Sequence, residues 1–200
     1  MNPRLQSTLT QIASRPIPED RKIHLQELIT AIRAASVHES VRLNFICTHN
    51  SRRSHLGQVW LQTLAQVHKK QQFTAYSGGT EATAVAPQII KTLSAQGFDI
   101  HALSEGSNPV YSIKYQKDSA PVIALSKTYD HPMNPSGNFI AIMTCSEADE
   151  GCPFIAGATH RIPLTYQDPK HSDGSQEEAA TYAERSLQIA TELNYVLTHL

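Results

Sequence analysis

The sequence has no long apolar run, no surplus of one charge, and few cysteines. No stretch approaches the ~20 consecutive apolar residues that a membrane-spanning helix needs, so no membrane partner is expected. Seventeen Lys and Arg against eighteen Asp and Glu leave a net charge of −1. Without a basic surplus to neutralise phosphates, nucleic acid is not an expected partner. Three cysteines are too few, and odd in number, for the disulfide framework of a secreted domain. In a reducing compartment such cysteines are reactive, metal-bound or simply buried. The opening MNPRLQSTLT carries no apolar signal region, which together with the cysteine usage predicts a cytoplasmic protein. Ten histidines are present, His49 and His55 among them, but no pair has i, i+4 or finger-like spacing and no CxxC occurs. No metal site is expected on that ground.

What is present is enough apolar sequence, 40% of 200 residues, for one well-packed domain with an appendage. Residues 1–40 read as an N-terminal helical extension, in which Leu25, Leu28, Ile29 and Ile32 share one helical face in need of a partner. Residues 41–200 form the main domain. Val41, Leu43 and Phe45 alternate as in a strand, and Leu56, Val59, Trp60, Leu64 and Val67 then mark a helix. Phe73–Tyr76 predicts a second strand, and Pro87 opens a helix that Gly97 closes. Residues 104–137 are irregular, with a hairpin expected from Tyr111–Tyr115 and Val122–Leu125. Phe139–Met143 is a continuous apolar run, as in a buried central strand, and a last helix begins near Ser175. Strands alternating with helices predict an α/β fold with a parallel sheet.

The segment that carries chemistry is Cys47-Thr48-His49-Asn50-Ser51-Arg52-Arg53-Ser54, set between a strand and a helix. A loop in that context turns successive N–H groups of residues 48–52 inward as a cradle for a tetrahedral anion. The helix N-terminus adds its positive dipole end. Arg53 grips two oxygens with its planar guanidinium. Cys47 beneath the anion is favoured as thiolate by the same groups, which sets up nucleophilic attack. Ser54 is placed to donate to that thiolate and Asn50 to hold the loop by side-chain bonds to backbone. Two further cysteines, Cys145 and Cys152, lie seven residues apart after the buried strand, on a polar segment containing Gly151 that is suited to movement.

The Cys-x5-Arg-Ser segment resembles the phosphate-binding loop of the low-molecular-weight protein tyrosine phosphatase superfamily, which includes the thioredoxin-coupled arsenate reductases. Tyr76-Ser77-Gly78-Gly79-Thr80, Pro87 and Gly97-Phe98-Asp99 are similar to the second βα unit of that family. The resemblance covers roughly residues 41–200 and implies a three-layer α/β sandwich, a four-stranded parallel sheet flanked by helices. It implies further that Asp168, in Tyr166-Gln167-Asp168-Pro169-Lys170, is the general acid. The Cys145…Cys152 segment looks like the redox segment of the reductases. That likeness implies a relay in which Cys47 attacks arsenic, Cys145 displaces arsenite, and Cys152 leaves a Cys145–Cys152 disulfide for thioredoxin or a similar dithiol to reduce. No tightly bound cofactor is implied.

Several positions depart from the family pattern. His49 stands where Gly is common, and Arg52 where many relatives have a second Cys. Some reductases bind potassium through Asn, a helix Glu and Ser. Asn50 and Ser77 match, but Gln58 replaces the Glu. Lys170 replaces the aromatic that follows Asp-Pro in the phosphatases, and the stretch from 100 to 138 is longer than in compact relatives. Three functions remain open at this point. The first is arsenate reduction. The second is phosphate-ester hydrolysis through a phosphocysteine on Cys47. The third is a non-enzymatic thiol sensor or anion-binding role.

Overall fold

The computed structural model describes residues 1–35, 40–151 and 154–200. In chain order the elements are α1 (Pro3–Ser14), α2 (Glu19–Ala35), β1 (Val41–Cys47), α3 (Arg53–Val67), β2 (Phe73–Gly79), α4 (Pro87–Ala95), β3 (Asp99–Ala102), β4 (Tyr111–Lys114), β5 (Val122–Ala124), β6 (Phe139–Met143), α5 (Ser146–Gly151), β7 (Ala158–Pro163), a 3₁₀ turn (Pro169–Ser172) and α6 (Glu178–Thr198). Strands β2, β1, β6 and β7 lie in that order in one parallel sheet. The α/β sandwich expected from sequence is the observed architecture.

Strand alternation sorts the side chains between two cores. Leu43, Phe45, Ile140 and Ile142 enter the large core with α1, α2, α3, α4 and α6. Ile46, Phe139, Ala141 and Met143 face the other way, into a smaller cluster closed by Ala148 of α5, Ile155 and Tyr129. Both faces of β1 and β6 are therefore buried, which explains why β6 reads as a continuous apolar run.

Helices α1 and α2 find their partner in α6. Leu5 and Ile12 of α1 and Leu25, Leu28, Ile29 and Ile32 of α2 all join the large core. The contact is close. Gly97, which ends α4 at φ 102°, has no room for a Cβ because the backbone of Leu5 lies against it. Thr8 Oγ1 also donates to the Gln96 carbonyl at 3.1 Å.

Strand β7 and the 3₁₀ turn carried no assignment from the sequence, and two further elements were not legible in it. Strand β3 adds to the expected β4–β5 hairpin, making a separate three-stranded antiparallel sheet. It is short and mostly exposed, so it leaves no apolar pattern. Helix α5 is six residues long and buries only Ala148, again too little to register as amphipathic.

Candidate active site

Cys47 ends β1, and the chain then turns into α3, whose first residue is Arg53. The turn is shaped by its carbonyls. Thr80 N donates to Cys47 O at 3.1 Å, Glu81 N to Thr48 O at 3.0 Å and Ala86 N to Ser51 O at 3.0 Å. His49 O accepts from Ser126 Oγ at 2.9 Å and Thr83 Oγ1 at 3.2 Å. With the carbonyls drawn outward, the N–H groups of residues 48–52 find no acceptor among the described residues. That is the arrangement of an anion cradle beside a helix N-terminus. Gly79 permits it, since a Cβ there would overlap Thr48 O and Asn50 N. The one left-handed residue in the loop is Asn50, at φ 44°. His49 needs no such conformation, and Asn tolerates it better than most residues.

A chain of hydrogen bonds sets the state of Ser54. Asn50 Nδ2 donates to Ser54 Oγ at 2.9 Å, so the Ser54 hydrogen is free to point at Cys47 Sγ, 3.1 Å away. Asn50 Oδ1 accepts from Lys127 N at 2.9 Å. Its carbonyl accepts from His55 Nε2 at 2.8 Å. That bond assigns the proton to Nε2 and leaves Nδ1 as an acceptor facing Ser77 Oγ at 3.3 Å. Burial, together with the charge of Lys127, lowers the His55 pKa to about 3, so the ring is neutral.

Arg53 is buried and makes a fork to one loop. Nη1 donates to the Tyr166 carbonyl at 2.8 Å and Nη2 to Asp168 Oδ2 at 2.7 Å. Its Nε is buried without a partner among the described residues, a donor left for a bound oxyanion. Asp168 caps the 3₁₀ turn by accepting from Lys170 N at 3.0 Å. Arg52 turns instead toward Tyr182, donating to its hydroxyl at 3.1 Å, with Asp168 and Asp173 each 3.9 Å from its guanidinium. The His49 ring likewise leaves the cradle to meet Glu81 Oε1 at 3.0 Å.

Cys145 follows β6, the neighbour of β1, and is fully buried. Its Sγ is 3.5 Å from Thr48 Oγ1, which puts a second thiol against the loop that begins with Cys47. Burial pushes the Cys145 pKa up, with a hydrogen bond from Thr48 opposing it. Its segment is latched by Arg161 of β7, whose guanidinium lies 2.6 Å from the Asp149 carboxylate. Cys152 falls outside the described residues. No group of three or more potential metal ligands gathers among those described.

Residues that sequence reasoning missed come mainly from the long stretch before β6. Ser126, Lys127 and Asn134 buttress the loop from behind, Asn134 Nδ2 donating to Ser77 O at 2.9 Å. They carry no periodicity, and only the tertiary path of the chain brings them here. Tyr166 is a second case. Its hydroxyl donates to Glu192 Oε2 at 2.9 Å, and Glu192 in turn pairs with Arg21 of α2 at 2.9 Å. The N-terminal helices thus support the loop that carries Asp168.

The fold and the loop define a class, that of small α/β proteins with a cysteine at the end of a strand beside a turn of unpaired N–H groups. No family model matches the sequence. Among curated proteins the chain is 26% identical over 141 residues to an arsenate reductase of Bacillus licheniformis, spanning 70% of this chain and 83% of the relative. It is 23% identical over 147 residues to the arsenate reductase of Bacillus subtilis strain 168, spanning 74% and 87%. Among solved structures it shares its fold with a low-molecular-weight phosphotyrosine phosphatase of Vibrio cholerae O395, at a TM-score of 0.53 and 12% identity over 80% of this chain and 95% of that one. The low-molecular-weight protein tyrosine phosphatase of T. tengcongensis gives a TM-score of 0.51 and 14% identity over 80% and 100%. The solved structures share the fold of this chain, and the curated relatives it resembles in sequence are arsenate reductases.

Proposed function

We propose that the protein reduces arsenate to arsenite by a cysteine relay. The observation that carries this reading is the second thiol, Cys145, held 3.5 Å from the Thr48 hydroxyl in the oxyanion loop. A phosphatase has no use for it.

The Cys47 thiolate attacks arsenic in bound arsenate, and an As–O bond breaks. Asp168 gives the departing oxygen a proton, and water leaves. The Cys145 thiolate then attacks Cys47 Sγ. The S–As bond breaks with its electron pair staying on arsenic, so As(V) becomes As(III) and departs as arsenite. A Cys47–Cys145 disulfide remains. Cys152 attacks Cys145 Sγ, releases Cys47 as thiolate and leaves Cys145–Cys152. A dithiol reductant, thioredoxin or one like it, restores the pair with two electrons. The reducing cytoplasm is where such a cycle runs. Among the described residues no helix is long and apolar enough to cross a membrane.

The alternative is a phosphatase acting through a phosphocysteine on Cys47. Cys47, Ser54, Arg53 and Asp168 by themselves complete that site, which favours some hydrolysis of aryl phosphates. The deciding experiment follows NADPH loss with arsenate, thioredoxin and thioredoxin reductase, for wild type and for Cys47→Ser, Cys145→Ser and Cys152→Ser. Arsenate-dependent turnover lost in all three is expected. Hydrolysis of an aryl phosphate without arsenate turnover, and with Cys145 and Cys152 dispensable, would replace the reductase reading.

A further inference from the structure

Behind the oxyanion loop lies a buried ammonium that the chemistry above does not use. Lys127 is 4% exposed, and its Nζ lies 3.5 Å from Ser77 Oγ. Ser77, itself fully buried, also donates to Gln58 Oε1 at 2.7 Å and faces His55 Nδ1. His55 donates to the Asn50 carbonyl, and the Lys127 backbone N–H donates to the Asn50 side chain. Lys127 thus bonds Asn50 directly through its own backbone, and its ammonium meets Ser77, whose oxygen lies 3.3 Å from the His55 ring that donates to the Asn50 carbonyl. Asn50 is the left-handed residue of the loop and the residue that sets the Ser54 hydrogen toward Cys47. Ser77, which the ammonium meets, and its partners Gln58 and His55 are all uncharged. No salt bridge to Lys127 occurs among the described residues.

A buried, unpaired charge is costly to keep, so its retention calls for a partner of opposite sign. Asp118 shares the lining of the cavity beside Lys127 without pairing with it, and an oxyanion held by the loop around Asn50 would supply the opposite charge. We propose that Lys127 is a positioning residue, a fixed internal cation that holds the oxyanion loop in its binding geometry and favours the bound anion from behind. With its ammonium already on the Ser77 side of the loop, no cation from solvent is needed there. The inference rests on the oxyanion-site reading but not on which reaction follows binding.

The test measures binding of inorganic phosphate by titration calorimetry to wild type, Lys127→Met and Ser77→Ala, together with the melting temperature of each. Binding is repeated in potassium chloride and in choline chloride at equal ionic strength. The expected result is that Lys127→Met binds phosphate at least tenfold more weakly while still melting cooperatively, and that wild-type affinity is the same in both salts. If Lys127→Met does not fold, Ser77→Ala answers in its place, with a severalfold loss expected. Unchanged phosphate affinity in the folded variant overturns the proposal, and so does wild-type binding that potassium strengthens severalfold. A wild type that binds no phosphate also overturns it. A protein that shows Lys127-dependent phosphate binding but no arsenate turnover refutes the reductase reading and leaves this one standing.

Discussion

Arg53 Nη2 donates to Asp168 Oδ2 at 2.7 Å, so the guanidinium proposed to grip the oxyanion and the carboxylate proposed as general acid are held by each other. An arriving anion competes with Asp168 for Arg53. Asp168→Asn removes the carboxylate charge and the proton donor together. Turnover is expected to fall by about 10²–10⁴ while phosphate binds as tightly or more tightly. Steady-state kinetics and calorimetry on the same preparation check both halves. A parallel loss of binding would mean that Asp168 shapes the cradle rather than donating a proton.

Ser54 is the only side chain among the described residues recorded within hydrogen-bond reach of Cys47 Sγ, at 3.1 Å. Ser54→Ala leaves the thiolate with one donor fewer and leaves Asn50 Nδ2 without its acceptor. A hydrogen bond to a charged group is worth about 1.5–3 kcal/mol, so turnover should drop by roughly tenfold to a hundredfold. The rate of Cys47 alkylation by iodoacetamide, read in a Cys145→Ser background, should change in the same variant. An alkylation rate equal to that of the parent would remove Ser54 from the reaction.

His55 controls acid stability. Its pKa falls from 6.5 in the unfolded chain to about 3 when buried, so the unfolded state binds the extra proton between those values. Stability is therefore whole above pH 6.5 and is lost progressively as the pH drops toward 3, by up to about 5 kcal/mol. Urea unfolding at pH 7, 5.5 and 4.5 should show His55→Gln losing less stability than wild type over this range. Parallel curves for the two proteins would discard the assignment.

Lys127 acts at the other end of the scale. Burial lowers its pKa from 10.5 to about 8, so the unfolded chain again binds more protons between the two. Here the penalty is full below pH 8 and fades as the pH rises to 10.5, amounting to about 3 kcal/mol. The stability of wild type relative to Lys127→Met should therefore rise between pH 8 and 10. A flat difference across that interval would show that the ammonium is not desolvated.

The N-terminal helices reach the site through Arg21, Glu192 and Tyr166. Tyr166→Phe removes one hydrogen-bond donor from the buried Glu192 carboxylate, whose remaining partners include Arg21 and Gln188. A loss of about 1–3 kcal/mol in urea unfolding is expected. Because Tyr166 O also accepts from Arg53, phosphate affinity should weaken modestly alongside it.

Periodicity and local motif carried three strands of the parallel sheet and the turn that joins β1 to α3. Alternation along β1, the apolar run of β6 and the Cys47–Ser54 spacing are local properties, and each is forced by the faces that a strand or a helix terminus presents. Non-local relationships were hidden. Lys127 sits 50 residues from Ser77 in sequence, and nothing in Ser126-Lys127-Thr128 marks it as buried beneath a loop. The same holds for the Tyr166 hydroxyl, the outward turn of Arg52 toward Tyr182, and the face of α6 that α1 and α2 cover. Residue type and spacing settle what one segment can do in isolation. The environment of a charge, and so its cost and its partner, depends on which distant segments close around it, and that comes only from the packed chain.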